Sequence, residues 1–197
     1  AAEYFERAKK FKAKSKGARE AIARFSKELA KQPQEAPKKI EQQEVAKHWY
    51  DKFRWFLSSE GYLCVGGRDA TSNEVMLKKH TEPHDIVCHT EAPGSPFFVI
   101  KTEGTKPKDI TIDEALQATA SYSKAWKLGV STADAYTVEP SQISKEAQTG
   151  EFLVKGSFMV RGKRNVKRVS IKLAIGLLPD GRIMGGPESA IKKHCAK

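Results

Sequence analysis

The chain has 197 residues, with 35 Lys and Arg against 24 Asp and Glu, a net charge of +11 and an isoelectric point near 9.5. That excess of cations points to a polyanion, nucleic acid or an anionic membrane surface, as the partner. No apolar run approaches the roughly 18 residues of a spanning helix, AAEYFERAKK has no signal-peptide core, and Cys64, Cys88 and Cys195 lack CxxC spacing, so free thiols in a soluble cytoplasmic protein are expected.

Tyr4, Ala8, Phe11, Ser15, Ala18, Ile22, Phe25 and Leu29 step by alternating intervals of four and three. This is a heptad seam of a coiled coil, or the inner stripe of a helix lying on its own domain. Pro33 and Pro37 break it, and a second helix is predicted from about Lys38 to Leu57, with Trp49, Phe53, Phe56 and Leu57 making its end apolar. Residues 1–48 thus read as an antiparallel helical hairpin, available for protein contacts or dimerisation.

Residues 49–197 read as one α+β domain, a mixed sheet packed by helices. Strands are predicted at Tyr62–Gly66, Asp85–His89, Phe97–Thr102, Ser131–Val138, Phe152–Val154, Ser157–Val160 and Val169–Leu178. Capping boxes at Thr71 with Glu74 and at Thr111 with Glu114 open two helices, the second stopped by Gly129. Pro179, Asp180 and Gly181 turn a hairpin into Arg182–Met184, and Pro187 starts a short last helix.

Phe152–Pro179 contains no Asp or Glu, yet carries Lys155, Arg161, Lys163, Arg164, Lys167, Arg168 and Lys172. Cations fixed on strands and turns suit phosphate neutralisation with counterion release. Gly66, Gly67, Arg68 and Asp69 lie between a strand and a helix, where backbone amides hold a phosphate or the glycines simply make a tight turn. His80, His84, Cys88 and His89 lack metal-site spacing, since Pro83 interrupts them and adjacent strand residues face opposite ways. Asp85 and His89 share a strand face about 13 Å apart, and a buried structural role is the simpler reading for both. There is no GxSxG, GxGxxG or P-loop, so no catalytic residue, metal or cofactor is assigned. The competing enzyme reading is a metal-dependent nuclease or RNA-modifying activity centred on Asp69, Asp85 and His89; a stand-alone nucleic-acid-binding adaptor is a third.

Three strings, WYDKFRWFLSSEGYLCVGGRDATSNE (49–74), DIVCH (85–89) and TGEFLVKGSFMVRGKRN (149–165), resemble the NFACT-R domain of the ribosome quality control family that includes bacterial RqcH and the eukaryotic nuclear export mediator factor. YFERAKKFKAKSKGAREAI is similar to the coiled-coil arm before that domain, and the style of the sequence is archaeal. His84 departs from the glycine this family places before the aspartate, and Pro93 from a second histidine. The resemblance implies a cytoplasmic, ribosome-associated factor that binds obstructed large subunits and recruits tRNA for untemplated tailing of stalled chains. It implies that this part binds RNA without tailing, its partners being tRNA and large-subunit rRNA rather than a membrane. Arg54, Arg68, Arg161, Lys163 and Arg164 follow by motif as RNA contacts, and Lys167 and Arg168 by charge.

Overall fold

A computed structural model describes residues 2–31, 48–92, 94–145 and 157–195. The chain divides into two units, Ala1–Gln43 and Glu44–Lys197. In the first, Ala2–Lys31 is one helix, α1, and Tyr4, Phe11, Ile22 and Phe25 of the expected seam stand exposed along it. The return arm of the hairpin lies outside the described residues.

The second unit runs β1 (Arg54–Leu57), β2 (Leu63–Gly66), α2 (Ala70–Lys79), β3 (Ile86–Thr90), β4 (Phe98–Ile100), α3 (Asp109–Ser121), β5 (Thr132–Val138), β6 (Ile143–Ser144), β7 (Met159–Val160), β8 (Asn165–Ser170), β9 (Ala174–Leu177), β10 (Ile183–Gly186) and α4 (Glu188–His194). Six strands form a sheet in the order β1-β2-β4-β3-β5-β8, every neighbour antiparallel, and two small hairpins, β6 with β7 and β9 with β10, accompany it. The domain is α+β, as expected. Among the described residues no helix is long and apolar enough to cross a membrane.

Both sheet faces are covered, which is why β3 and β4 read as nearly continuous apolar runs. Phe56, Cys64, Cys88, Phe98 and Ile100 pack with Leu116 of α3, while Val65, Val87, Val99, Tyr136 and Val138 pack with Met76 of α2. Ala115, Ala118 and Ala120 are fully buried, small enough to let α3 lie close on the sheet.

The predicted helix over 38–57 does not hold in its described part: His48–Phe53 winds through turns and Arg54–Leu57 is β1. Phe53 enters the α2-side cluster and Phe56 the α3-side cluster, so residues three apart serve opposite faces. Backbone pairing of Trp55 with Val65 and Phe56 with Cys64 outweighs local helical spacing.

The capping boxes also move. Asp69 caps α2 by accepting from the Ser72 amide at 2.8 Å, and Glu74 instead pairs with Lys78 and Lys145. Thr111 and Glu114 lie inside α3 and turn inward. The Thr111 hydroxyl donates to Glu60 Oε2 at 2.7 Å, and the Glu114 carboxylate accepts from the Ser59 amide at 2.7 Å, the Ser59 hydroxyl and the Ser189 hydroxyl at 2.6 Å. Polar residues that look like caps here satisfy one another across the core, tying the β1–β2 turn to α3 and α4. The predicted strand Val169–Leu178 is two, broken where the Lys172 amide donates to Ser121 Oγ at 3.0 Å. The strand expected at Phe152–Val154 lies outside the described residues.

Asp85 is buried, ion-paired with Lys101, and accepts from the Glu82 amide at 2.8 Å and the Thr102 amide at 3.1 Å. Removing its carboxylate takes the counter-ion from Lys101, which keeps the His80 carbonyl at 2.9 Å, and orphans two amides at once. Asp85→Ala should therefore cost about 3–5 kcal/mol in urea unfolding; a loss under about 1 kcal/mol, the scale of a surface ion pair, would show that the pair is solvent-relaxed. Burial raises the thiol pKa of Cys64 and Cys88, both fully enclosed. At neutral pH a disulfide reagent should label neither in the native protein and both in urea, followed by peptide mapping.

Candidate nucleic-acid interface

One end of the sheet, where β2 leaves and β4 enters, opens into a cleft of about 420 Å³. Its walls are the β2–α2 junction, the end of β3 with the loop after it, and Phe97 and Phe158. Of the residues picked from sequence, Arg54, Arg68, Asp69 and His89 line it.

The paired glycines are required by close approach, not by a left-handed turn. A Cβ on Gly66 would overlap the Phe98 ring, and one on Gly67 would sit 2.8 Å from the Asn73 backbone nitrogen. Gly67 donates to the Phe97 carbonyl at 3.2 Å, and buried Asn73 Oδ1 accepts from the Phe97 amide at 3.1 Å, so α2 is drawn onto the start of β4. The helix N-terminus, with its partial positive charge, thereby lies at the cleft.

Arg54 donates to the Gly67 carbonyl and its guanidinium lies 4.9 Å over the Tyr122 ring. Half-burial lowers its pKa from the ordinary value, by desolvation first. Arg68 donates to the Asp51 carbonyl at 3.3 Å and its charge is felt at Arg54. Each guanidinium has five N–H donors, of which one is spent in these bonds, so the two present donors toward an anion. Asp69 is held below the ordinary carboxylate range, chiefly by the Ser72 amide; it is the cap of α2.

His89 stacks on Phe97 at 3.9 Å, and Tyr136 meets it edge-on at 6.0 Å. Nδ1–H donates to the Pro96 carbonyl at 3.0 Å, because a carbonyl only accepts. Burial lowers the imidazole pKa, which favours the neutral ring. Asp85, at the other end of β3, is not in the cleft, so the acid/base trio of Asp69, Asp85 and His89 is not assembled. Among the described residues no three of His, Cys, Asp and Glu converge as metal ligands.

Arg164 sits 4.8 Å over Tyr136, whose own pKa burial raises to about 12, and pairs with Glu91 on the cleft rim. Gln142 Nε2 donates to the Arg161 carbonyl at 2.7 Å and the Lys163 carbonyl at 2.9 Å, fixing the basic turn whose Gly162 is left-handed at φ 82°. Arg161 and Lys163 project exposed from it. Lys167 and Arg168 border a separate hollow beside α3: Lys167 pairs with Asp113 at 2.8 Å, and Arg168 with Asp134 at 2.8 and 3.1 Å. Tyr136, Glu91 and Asn73 went unread in the sequence. An asparagine one helical turn after an N-cap aspartate is the only local hint of the last.

The sequence profile described as NFACT protein RNA binding domain matches residues 52–162. Over 153 residues, 76% of this chain and 23% of that protein, the sequence is 40% identical to the archaeal Rqc2 homolog aRqcH of Methanocaldococcus jannaschii. Over 119 residues, 60% of this chain and 11% of that protein, it is 44% identical to ribosome quality control complex subunit NEMF of Homo sapiens. The C-terminal part of the fibronectin/fibrinogen-binding protein from Streptococcus suis has the same fold, with a TM-score of 0.54 and 18% identity over 79% of this chain and 53% of that one. The chain thus spans less than a quarter of the length of the curated relatives named here. Its match over residues 52–162 takes in the whole β2–α2 junction, His89 and the basic turn as far as Gly162, and the chain belongs to the NFACT RNA-binding domain family, in the ribosome quality control branch that holds aRqcH and NEMF.

Proposed function

We propose that the cleft at the start of α2 is where this domain takes hold of RNA, and that this RNA is tRNA or the rRNA of an obstructed large ribosomal subunit. The module acts by binding in the cytoplasm, and tailing of stalled chains is work for other parts of a ribosome quality control factor. The observation that carries this reading is the convergence of Arg54 and Arg68 on one walled cleft in a domain of an RNA-binding family. Both line a hollow with room for a phosphate, and the exposed basic turn with Arg161, Lys163 and Arg164 adds a second positive rim beside Glu91. Phosphates fix position, while half-buried Phe158, backed by the buried ring of Phe97, offers a base an apolar surface. An RNA-cleaving site has less support: Asp69 is spent on its helix cap, and Asp85 on Lys101 and two amides.

Binding of labelled tRNA should weaken on Arg68→Ala and on Arg164→Ala. The slope of log K against log salt should flatten by about 0.7–0.9 for each phosphate that the variant no longer neutralises. Arg168→Ala, whose guanidinium already holds Asp134, should have the smaller effect. Unchanged affinity and slope in Arg68→Ala would remove the cleft from the reading. RNA turnover that depends on divalent metal and is abolished by His89→Ala would replace binding with catalysis.

A further inference from the structure

The three tryptophans of this chain differ in what their rings touch. Trp49 stacks on His80 at 4.3 Å, and Trp55 lies under the Arg182 guanidinium at 4.9 Å with Tyr50 edge-on at 5.0 Å. Trp126 is 55% exposed and, among the described residues, has neither a ring nor a cation partner. Leaving an indole this open costs contact area that a soluble domain normally recovers.

The turn that carries the ring is hydrogen-bonded at both ends. Lys124–Leu128 is a short 3-10 turn directly after α3. Ser123 Oγ donates to the Ala120 carbonyl at 2.6 Å and accepts from the Ala125 amide at 3.1 Å. Ala125 is buried, and Gly129, left-handed at φ 70°, ends the turn. With Ala125 anchored inward, its neighbour Trp126 points out.

The turn also flanks the cleft. Tyr122, which carries Arg54 on its ring, lies two residues before it, and a Cβ on Gly94 of the cleft wall would lie 3.0 Å from the Lys124 side chain. At about 2.0 Å rise per residue, Trp126 stands about 4 Å further along the turn. Tyr122–Ser131 contains no acid, and its two lysines, Lys124 and Lys127, are both exposed.

We infer that Trp126 is a stacking platform for an unpaired nucleobase of the RNA held in the cleft, with Lys124 and Lys127 meeting the adjoining phosphates. This rests on the RNA-binding reading and sharpens it: the preferred RNA has single-stranded nucleotides next to the phosphate held by Arg54 and Arg68. A base is favoured over a protein surface by the two lysines in the same turn and by Lys124 lying against Gly94 of the cleft wall. Stacking is sequence-tolerant, so the contact selects for an unpaired base, not for its identity.

The test compares a labelled single-stranded RNA oligonucleotide with a blunt RNA duplex, using the full chain and its Trp126→Ala, Trp126→Leu and Trp126→Phe variants. On the single strand, Trp126→Ala and Trp126→Leu should bind about tenfold more weakly, and Trp126→Phe should keep most of the affinity. The salt slope should not change, because no charge is removed, and duplex binding should be unaffected. The side chain is exposed, so urea midpoints should match the parent. If Trp126→Ala binds the single strand like the parent while Arg68→Ala is weakened, the platform is wrong and the cleft reading stands. If Trp126→Leu performs like Trp126→Phe, the contact is a general apolar one of the kind a protein partner makes, and the stacking assignment falls. If the parent binds neither RNA, the RNA-binding reading itself fails.

Discussion

The approach of α2 to the sheet at Gly67 is the constraint on which the cleft depends. The backbones of two residues, one amide side chain and one guanidinium meet there: Gly67 donates to Phe97, Phe97 donates to Asn73, and Arg54 donates back to Gly67. Any side chain at residue 67 would force these apart, because Asn73 already occupies the space. The hydrogen bonds and the missing Cβ act together, the first drawing the helix in and the second permitting it. The aromatic floor, the two arginines and the helix end are brought to one place by this contact.

Charge on the domain is organised, not merely abundant. Lys167 and Arg168 are balanced by Asp113 and Asp134, whereas Arg54 and Arg68 are bonded to carbonyl oxygens, which orient a guanidinium without neutralising it. A cation oriented by neutral acceptors keeps its full field for a ligand. Arg164 is intermediate: its paired Glu91 and the ring of Tyr136 set its direction at the rim.

The α+β class, most strands and the hairpin at Asp180 were legible because strand alternation and turn residues are local signals. Arg54 and Arg68, picked by motif, lie together on one cleft. β1 was not, since Trp49, Phe53 and Phe56 repeat at helical spacing, and only pairing with β2 reveals that Phe53 and Phe56 serve two different cores. Thr111 and Glu114 were misread for the same reason: a capping box and an inward-facing polar pair have the same spacing, and what distinguishes them is Ser59, 55 positions away in sequence from Glu114. Seven cations in one acid-free run looked like one surface, yet the fold distributes the described ones between the cleft rim, the hollow where β8 meets α3 and, for Lys172, an ion pair with Glu188 of α4.

The β8 edge of the sheet has a further consequence. Among the described residues β8 is hydrogen-bonded to β5 alone, so its outer side offers an open row of backbone groups of the kind that templates pairing between copies of a chain. Lys167 and Arg168, successive residues on this short strand, project to its two faces and each stays tethered to a carboxylate. An incoming strand would have to lay its own side chains beside these two charges. Charged side chains on both faces of an edge strand are one of the ways by which proteins disfavour pairing between copies of a chain.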